Sequence, residues 1–226
     1  MKKRTALDLW CDRQWIKFSL VLSAIMALCM LLFHDTWSDE LNVIAAVAVL
    51  IPLHVVEEWV FPGGFHYQYN CFMYHSDKPN HYPMCRLSDM ITNLVTTILY
   101  ILFTIYCVVK ESVRPGFLMG TAAFSLLEVV MHTVFGIAMY QKFKDKGKTT
   151  IYGAGSITAY FGFGPIGFMA ISCLKGCTIT GIDIALCIGI LLFIAVVCIL
   201  IPENTIKDKN TPYAFSSAGY FERFLS

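Results

Sequence analysis

Residues 41–62 read LNVIAAVAVLIPLHVVEEWVFP. From Leu41 to Leu53 the only polar side chain is Asn42. The stretch is long enough for a helix that crosses a bilayer, which takes roughly 17–25 residues. Its second half breaks the apolar pattern with His54, Glu57 and Glu58. At 100° per residue, His54 and Glu58 share one helix face and Glu57 lies about 60° from His54, so one arc of about 100° holds all three. Ionisable groups at membrane depth cost several kcal/mol and usually face a bundle interior. Pro52 removes a backbone hydrogen bond just before them and favours a kink.

Five further apolar stretches have the same character: residues 16–33, 91–109, 116–140, 151–173 and 179–201. Of the 226 residues, 57% are hydrophobic and 15% charged, with mean hydropathy +0.61. Soluble chains carry about 25% charged residues. The composition excludes a disordered chain, and a net charge of +1 excludes a basic nucleic-acid binder. The expectation is an all-α integral membrane protein, one domain built as a bundle of about six transmembrane helices.

Basic residues set the orientation. With six spans, fourteen of the seventeen Lys and Arg residues fall in the termini and loops on one side, and only Lys110, Arg114 and Lys175 on the other. Both termini are therefore expected in the cytoplasm, and the protein in the cell membrane as a multi-pass chain. The opening MKKRTALDLWCDRQW carries acids and tryptophans, and no small-residue cleavage site follows cleanly, so the first stretch reads as a retained helix. The run QKFKDKGK, residues 141–148, suits contact with anionic lipid head groups.

The nine cysteines fall mostly in apolar stretches, where Cys acts as a small hydrophobe. Cys173 and Cys177 flank a short loop, and their spacing leaves a disulfide open. His66, His75 and His81, with Cys71 and Cys85, lie in the long second loop. Their spacing matches no standard zinc pair, and a loop at the membrane interface explains them more simply.

Other stretches repeat the polar pattern. Glu128 and His132 are four residues apart in the fourth. Asn93 lies one turn inside the third. Tyr152, Ser156 and Tyr160 form a polar stripe at the start of the fifth. With the orientation above, His54, Glu57, Glu58, Asn93, His132 and Tyr152 all fall in the cytoplasmic half of the bilayer. Asp183, near the outer end of the sixth stretch, reads as interfacial.

The motif His54-Val55-Val56-Glu57-Glu58 resembles the one that names the HXXEE-domain membrane proteins. A later Asn and a later His mark that family, and Asn93 and His132 match them in order. Its aromatic, Pro-Gly, Thr pattern is partly matched by Tyr152, Gly155 and Thr158, with Ala154-Gly155 in place of Pro-Gly. The resemblance covers roughly residues 40–170. It implies a multi-pass protein of enzymatic character with no assigned reaction.

Two chemistries suit these residue types. His54, Glu57 or Glu58, and His132 would hold a divalent metal, zinc or iron, and leave a position open for water. Without a metal, a buried Glu and a His would act as an acid/base pair on a lipophilic substrate, with Glu57, Glu58, Asn93, Glu128 and Tyr152 as the candidate catalytic groups. A small proton-coupled transporter, or a ligand-binding membrane protein, would use the same cluster. Against transport stand the lack of a detectable inverted repeat and the one-sided depth of the polar groups. Membrane lipids and a lipophilic small molecule are the expected partners.

Overall fold

In the computed structural model, described over residues 5–225, the chain is helical, with no strand among the described residues. The main helices are α1 (Ala6–Leu32), α2 (Asp39–Trp59), α3 (Phe65–Met73), α4 (Arg86–Lys110), α5 (Pro115–Lys146), α6 (Ser156–Cys173) and α7 (Gly181–Ile206). All but α3 are long and apolar enough to cross a membrane, six in all. Lys2, Lys3 and Arg4, which contribute to the charge asymmetry, lie outside the described residues.

Helix α2 is the hub. It packs against α1, α4, α5 and α6. Val43, Ala45, Val47 and Ala48 are small enough to let several neighbours approach, and all are buried. The Ser23 hydroxyl of α1 donates 2.8 Å to the Val49 carbonyl, close to the proline in α2. The outward faces stay apolar, as at Leu31, Val109 and Ile182. Such a surface suits lipid rather than water.

The helix ends are fixed by local chemistry. The Ser38 hydroxyl accepts from the Leu41 N–H and caps α2. Asp183, at the start of α7, is buried. It completes a capping box with Thr180 and accepts from Arg114 Nε at 3.2 Å, which ties α7 to the start of α5. Cys173 and Cys177 are free thiols, and Cys177 Sγ donates 3.4 Å to the Cys173 carbonyl.

Two differences from the sequence reading concern the site. Helix α6 starts at Ser156, not near residue 151, because the chain unwinds through Gly153-Ala154-Gly155. Gly155 adopts φ +90°, a left-handed conformation that favours glycine. The unwound segment presses against α5 at Gly136, where a Cβ would lie 2.1 Å from the Ile151 carbonyl oxygen. The long second loop is also not merely peripheral. It contains α3, whose His66, Tyr67, Gln68, Tyr69 and Asn70 are all buried.

Residues 207–225 fold back over this same end of the bundle. The Tyr213 carbonyl accepts from the Arg86 N–H, and the Gly63 carbonyl accepts from the Tyr220 N–H. Phe215 stacks on His66 with ring centroids 3.6 Å apart and packs edge-on against Trp59. The ends of α2, α3, α4, α5, α6 and α7 thus meet under one cover.

Candidate metal centre

His54 and Glu58 project from adjacent turns of α2, and His54 Nε2 lies 3.2 Å from Glu58 Oε1. His132 and Glu128 project from adjacent turns of α5 towards the same point. His132 Nε2 is 3.2 Å from His54 Nε2, 3.4 Å from Glu58 Oε1 and 3.6 Å from Glu128 Oε2. His54 Nε2 is 3.7 Å from Glu128 Oε2. Ligand atoms of His54, Glu128 and His132 all fall within 4.8 Å of one another. Three of the four side chains are buried; Glu128 keeps 28% exposure. No Lys or Arg among the described residues pairs with these carboxylates.

The other carboxylate of the motif does something different. Its 60° offset turns Glu57 towards the start of α6. Glu57 Oε1 accepts from the Ile157 N–H at 3.0 Å and the Tyr152 hydroxyl at 3.2 Å. Glu57 Oε2 accepts from the Thr158 N–H at 2.8 Å and the Thr158 hydroxyl at 2.6 Å. A carboxylate from one helix therefore caps another, taking N–H groups left over in the first turn of α6 and facing the positive end of its dipole. Burial and the neighbouring Glu57 charge push the Tyr152 phenol above its ordinary range, so it stays a donor.

The Thr158 hydroxyl connects the two groups. It has one proton, and the charged Glu57 Oε2 at 2.6 Å is a stronger acceptor than the Gly155 carbonyl at 3.2 Å. Its oxygen also lies 2.6 Å from His54 Nδ1. When the hydroxyl donates to the Glu57 carboxylate, Nδ1–H is the donor of that bond. His54 then carries a proton on Nδ1, and its Nε2 faces His132, Glu58 and Glu128. Two imidazole nitrogens and two carboxylate oxygens thus converge with no Lys or Arg beside them among the described residues, a set that protons on the imidazoles or a bound cation would satisfy.

His132 is positioned by packing instead. Its Nδ1 is buried without a hydrogen-bond partner. Gly155 lies against the ring, and a Cβ there would come within 2.2 Å of Cε1. Phe65 covers another side, with ring centroids 5.3 Å apart.

A cavity of about 90 Å³ opens beside the cluster, lined by His54, Glu58, Asp89, Asn93 and Glu128 with Tyr69. A second, of about 50 Å³, adds Thr96, Phe124, Phe163 and Ile194. Towards the other end of the bundle, Tyr100–Phe124 and Phe103–Phe117 ring pairs join α4 to α5. Asn93 Nδ2 donates to Asp89 Oδ1 at 2.8 Å, and Trp59 Nε1 donates to Asp89 Oδ2 at 2.6 Å.

A family model described as protein of unknown function with HXXEE motif matches residues 44–170, more than half of the chain. The chain belongs to the HXXEE family. No curated protein and no solved structure matches it. In this HXXEE protein the motif divides its labour by angle. The His and the second Glu enter the cluster, while the first Glu holds the helix that orients the His.

The structure brings His54, Glu58, Glu128 and His132 together. It sets Glu57 and Tyr152 behind His54, and Asn93 on the cavity wall. The other members of the polar stripe separate: Ser156 Oγ accepts from the Gly153 N–H, and Tyr160 pairs with Thr133. Among the described residues, His66, His75, His81, Cys71 and Cys85 form no metal-binding group. Sequence reasoning gave Thr158 no role beyond the family pattern and passed over Asp89. The available signal for Asp89 was its place one turn before Asn93 on α4.

Proposed function

We propose that this protein is a multi-pass membrane enzyme that holds one divalent metal, zinc or iron, at His54, Glu128 and His132. The observation that carries this reading is the spacing of the converging acceptor atoms. Donors bound to zinc at 2.0–2.1 Å in a tetrahedron sit about 3.3 Å apart. The two imidazole nitrogens and their carboxylate neighbours lie 3.2–3.7 Å apart. A two-His, one-carboxylate set serves both catalytic zinc and non-haem iron and leaves a position open. The metal would polarise a substrate oxygen or activate water there. Glu58, within reach of both imidazoles, is the base that accepts the proton. Asn93 orients the substrate from the cavity wall.

The substrate on this reading is lipophilic and enters from the bilayer. With the charge asymmetry of the loops, the termini are cytoplasmic and the site serves the cytoplasmic leaflet of the cell membrane. A second, metal-free reading rests on the unpartnered Nδ1 of His132. If His132 carries its proton on Nε2 and donates to Glu58, the bare Nδ1 is a buried acceptor, which costs less to leave unpaired than a buried N–H. The pair would then work as general acid and base.

The test is a His132→Ala chain. It is expected to insert and fold but to lose the cellular function of the wild type. Full function in that variant contradicts both readings. Solute flux in proteoliposomes with no product formed would favour a transporter instead.

A further inference from the structure

Glu203 is a buried carboxylate that the cluster chemistry leaves unused. It lies near the end of α7 and is 1% exposed. Its Oε2 accepts from the Tyr69 hydroxyl at 3.1 Å and from the Tyr74 hydroxyl at 2.8 Å, while Oε1 is buried with no partner. The two phenols lead in different directions. Tyr69, on α3, is buried and lines the cavity beside His54, Glu58, Asp89 and Glu128. Tyr74, just past α3, is 39% exposed.

We propose that Tyr69, Glu203 and Tyr74 form a proton conduit between the histidine–carboxylate cluster and the aqueous surface. The proposal rests on reading the cluster as a reaction site, because a buried base that collects protons needs a way to release them. Each transfer balances. A proton arriving at the Tyr69 oxygen displaces that residue's own proton onto Glu203. Glu203 then passes one to the Tyr74 oxygen, whose hydroxyl turns outward and releases its proton to water. Glu203 returns to the carboxylate and both phenols end protonated. Burial, reinforced by Glu203, pushes both phenols up, Tyr74 to about 12, so each keeps its proton to hand on. Asp89 and Tyr82 are the other titratable groups close enough to feel this set. Tyr69, Glu203 and Tyr74 are relay residues and touch no reacting atom.

The experiment uses the full chain, stripped of metal, in detergent. A rapid jump from alkaline to acid pH is followed by the infrared carbonyl band of newly protonated buried carboxyls. Glu203→Gln and Tyr69→Phe are each expected to slow that protonation by about a hundredfold, a typical worth for one proton-transfer group. The helical content should match the wild type, as should the final amplitude in Tyr69→Phe, while in Glu203→Gln the amplitude should fall only by the share of Glu203 itself. Glu203→Asp should restore most of the rate, which a merely structural role would not require. Wild-type kinetics in both Glu203→Gln and Tyr69→Phe would overturn the conduit. The readout needs no metal, so failure of the metal reading appears separately, as absent metal in the wild type with the relay rates still altered.

Discussion

The Nε2 atoms of His54 and His132 lie 3.2 Å apart, with the two rings at 84°. Neutral imidazoles do not meet lone pair to lone pair unless something positive sits between them. Either a proton or a metal ion does so here, and the proposed function takes the metal. The outcomes expected of specific substitutions follow from that geometry.

Thr158→Val removes both the acceptor for His54 Nδ1–H and one donor to Glu57. Loss of such a partner behind a ligating histidine typically weakens metal binding 10–100-fold. Thr158→Ser keeps the hydroxyl and should stay close to wild type. Competition against a chromophoric chelator measures both. Equal affinity in Thr158→Val and wild type would mean that the Thr158 bond does not set the tautomer.

Glu57→Gln replaces an acceptor-only group by one with two donors, facing four donors it can no longer satisfy. Stability should fall by about 1–3 kcal/mol for the buried groups left unpaired, seen as a lower thermal midpoint in detergent. Glu58→Gln should do the opposite: it keeps the three ligands but removes a negative charge beside both imidazoles, weakening metal binding with little change in the midpoint. An identical response from the two variants would contradict their division of labour.

Gly155→Ala and Gly147→Ala separate strain from collision. Both glycines are left-handed, at φ +90° and +88°. A Cβ at 155 meets the His132 ring at 2.2 Å, whereas one at 147 meets nothing within 4 Å. Each variant carries a backbone cost of about 1–3 kcal/mol. Only Gly155→Ala should also displace His132 and lower metal affinity. Unchanged affinity in that variant would show that packing does not position the ring.

Apolar length was enough for six helices, and 3.6 residues per turn for the shared face of His54 and Glu58. Glu57 was harder to read. Its 60° offset mattered only once α6 lay beside it with free N–H groups at Ile157 and Thr158. The polar stripe assumed an unbroken helix from residue 151, but three small residues let the chain unwind so that Tyr152 reaches Glu57 from a loop. Glu203 fell just past the last apolar stretch and looked like tail. Contacts between distant segments carry no periodicity, and these residues are defined by such contacts.

Acid should loosen the cover over the site. Burial lowers His66 to about 3, against about 6.5 in an unfolded chain. A depressed histidine makes the unfolded chain the stronger proton binder, so stability is present above about 6.5 and is lost as pH falls towards 3. At pH 5 the loss is about 2 kcal/mol. Because His66 stacks on Phe215, which touches Trp59, the residues 207–225 should undock, with a change in tryptophan fluorescence and faster proteolysis. His66→Phe should abolish the acid sensitivity. The same acid transition in that variant would assign it to another group.

The most direct measurement is the metal content of detergent-purified protein, by elemental analysis, for the wild type beside Glu128→Gln and His132→Ala. The account expects about one equivalent of zinc or iron in the wild type and loss of most of it in both variants. Wild-type protein that holds no transition metal, even after exposure to zinc and to ferrous iron, would contradict it.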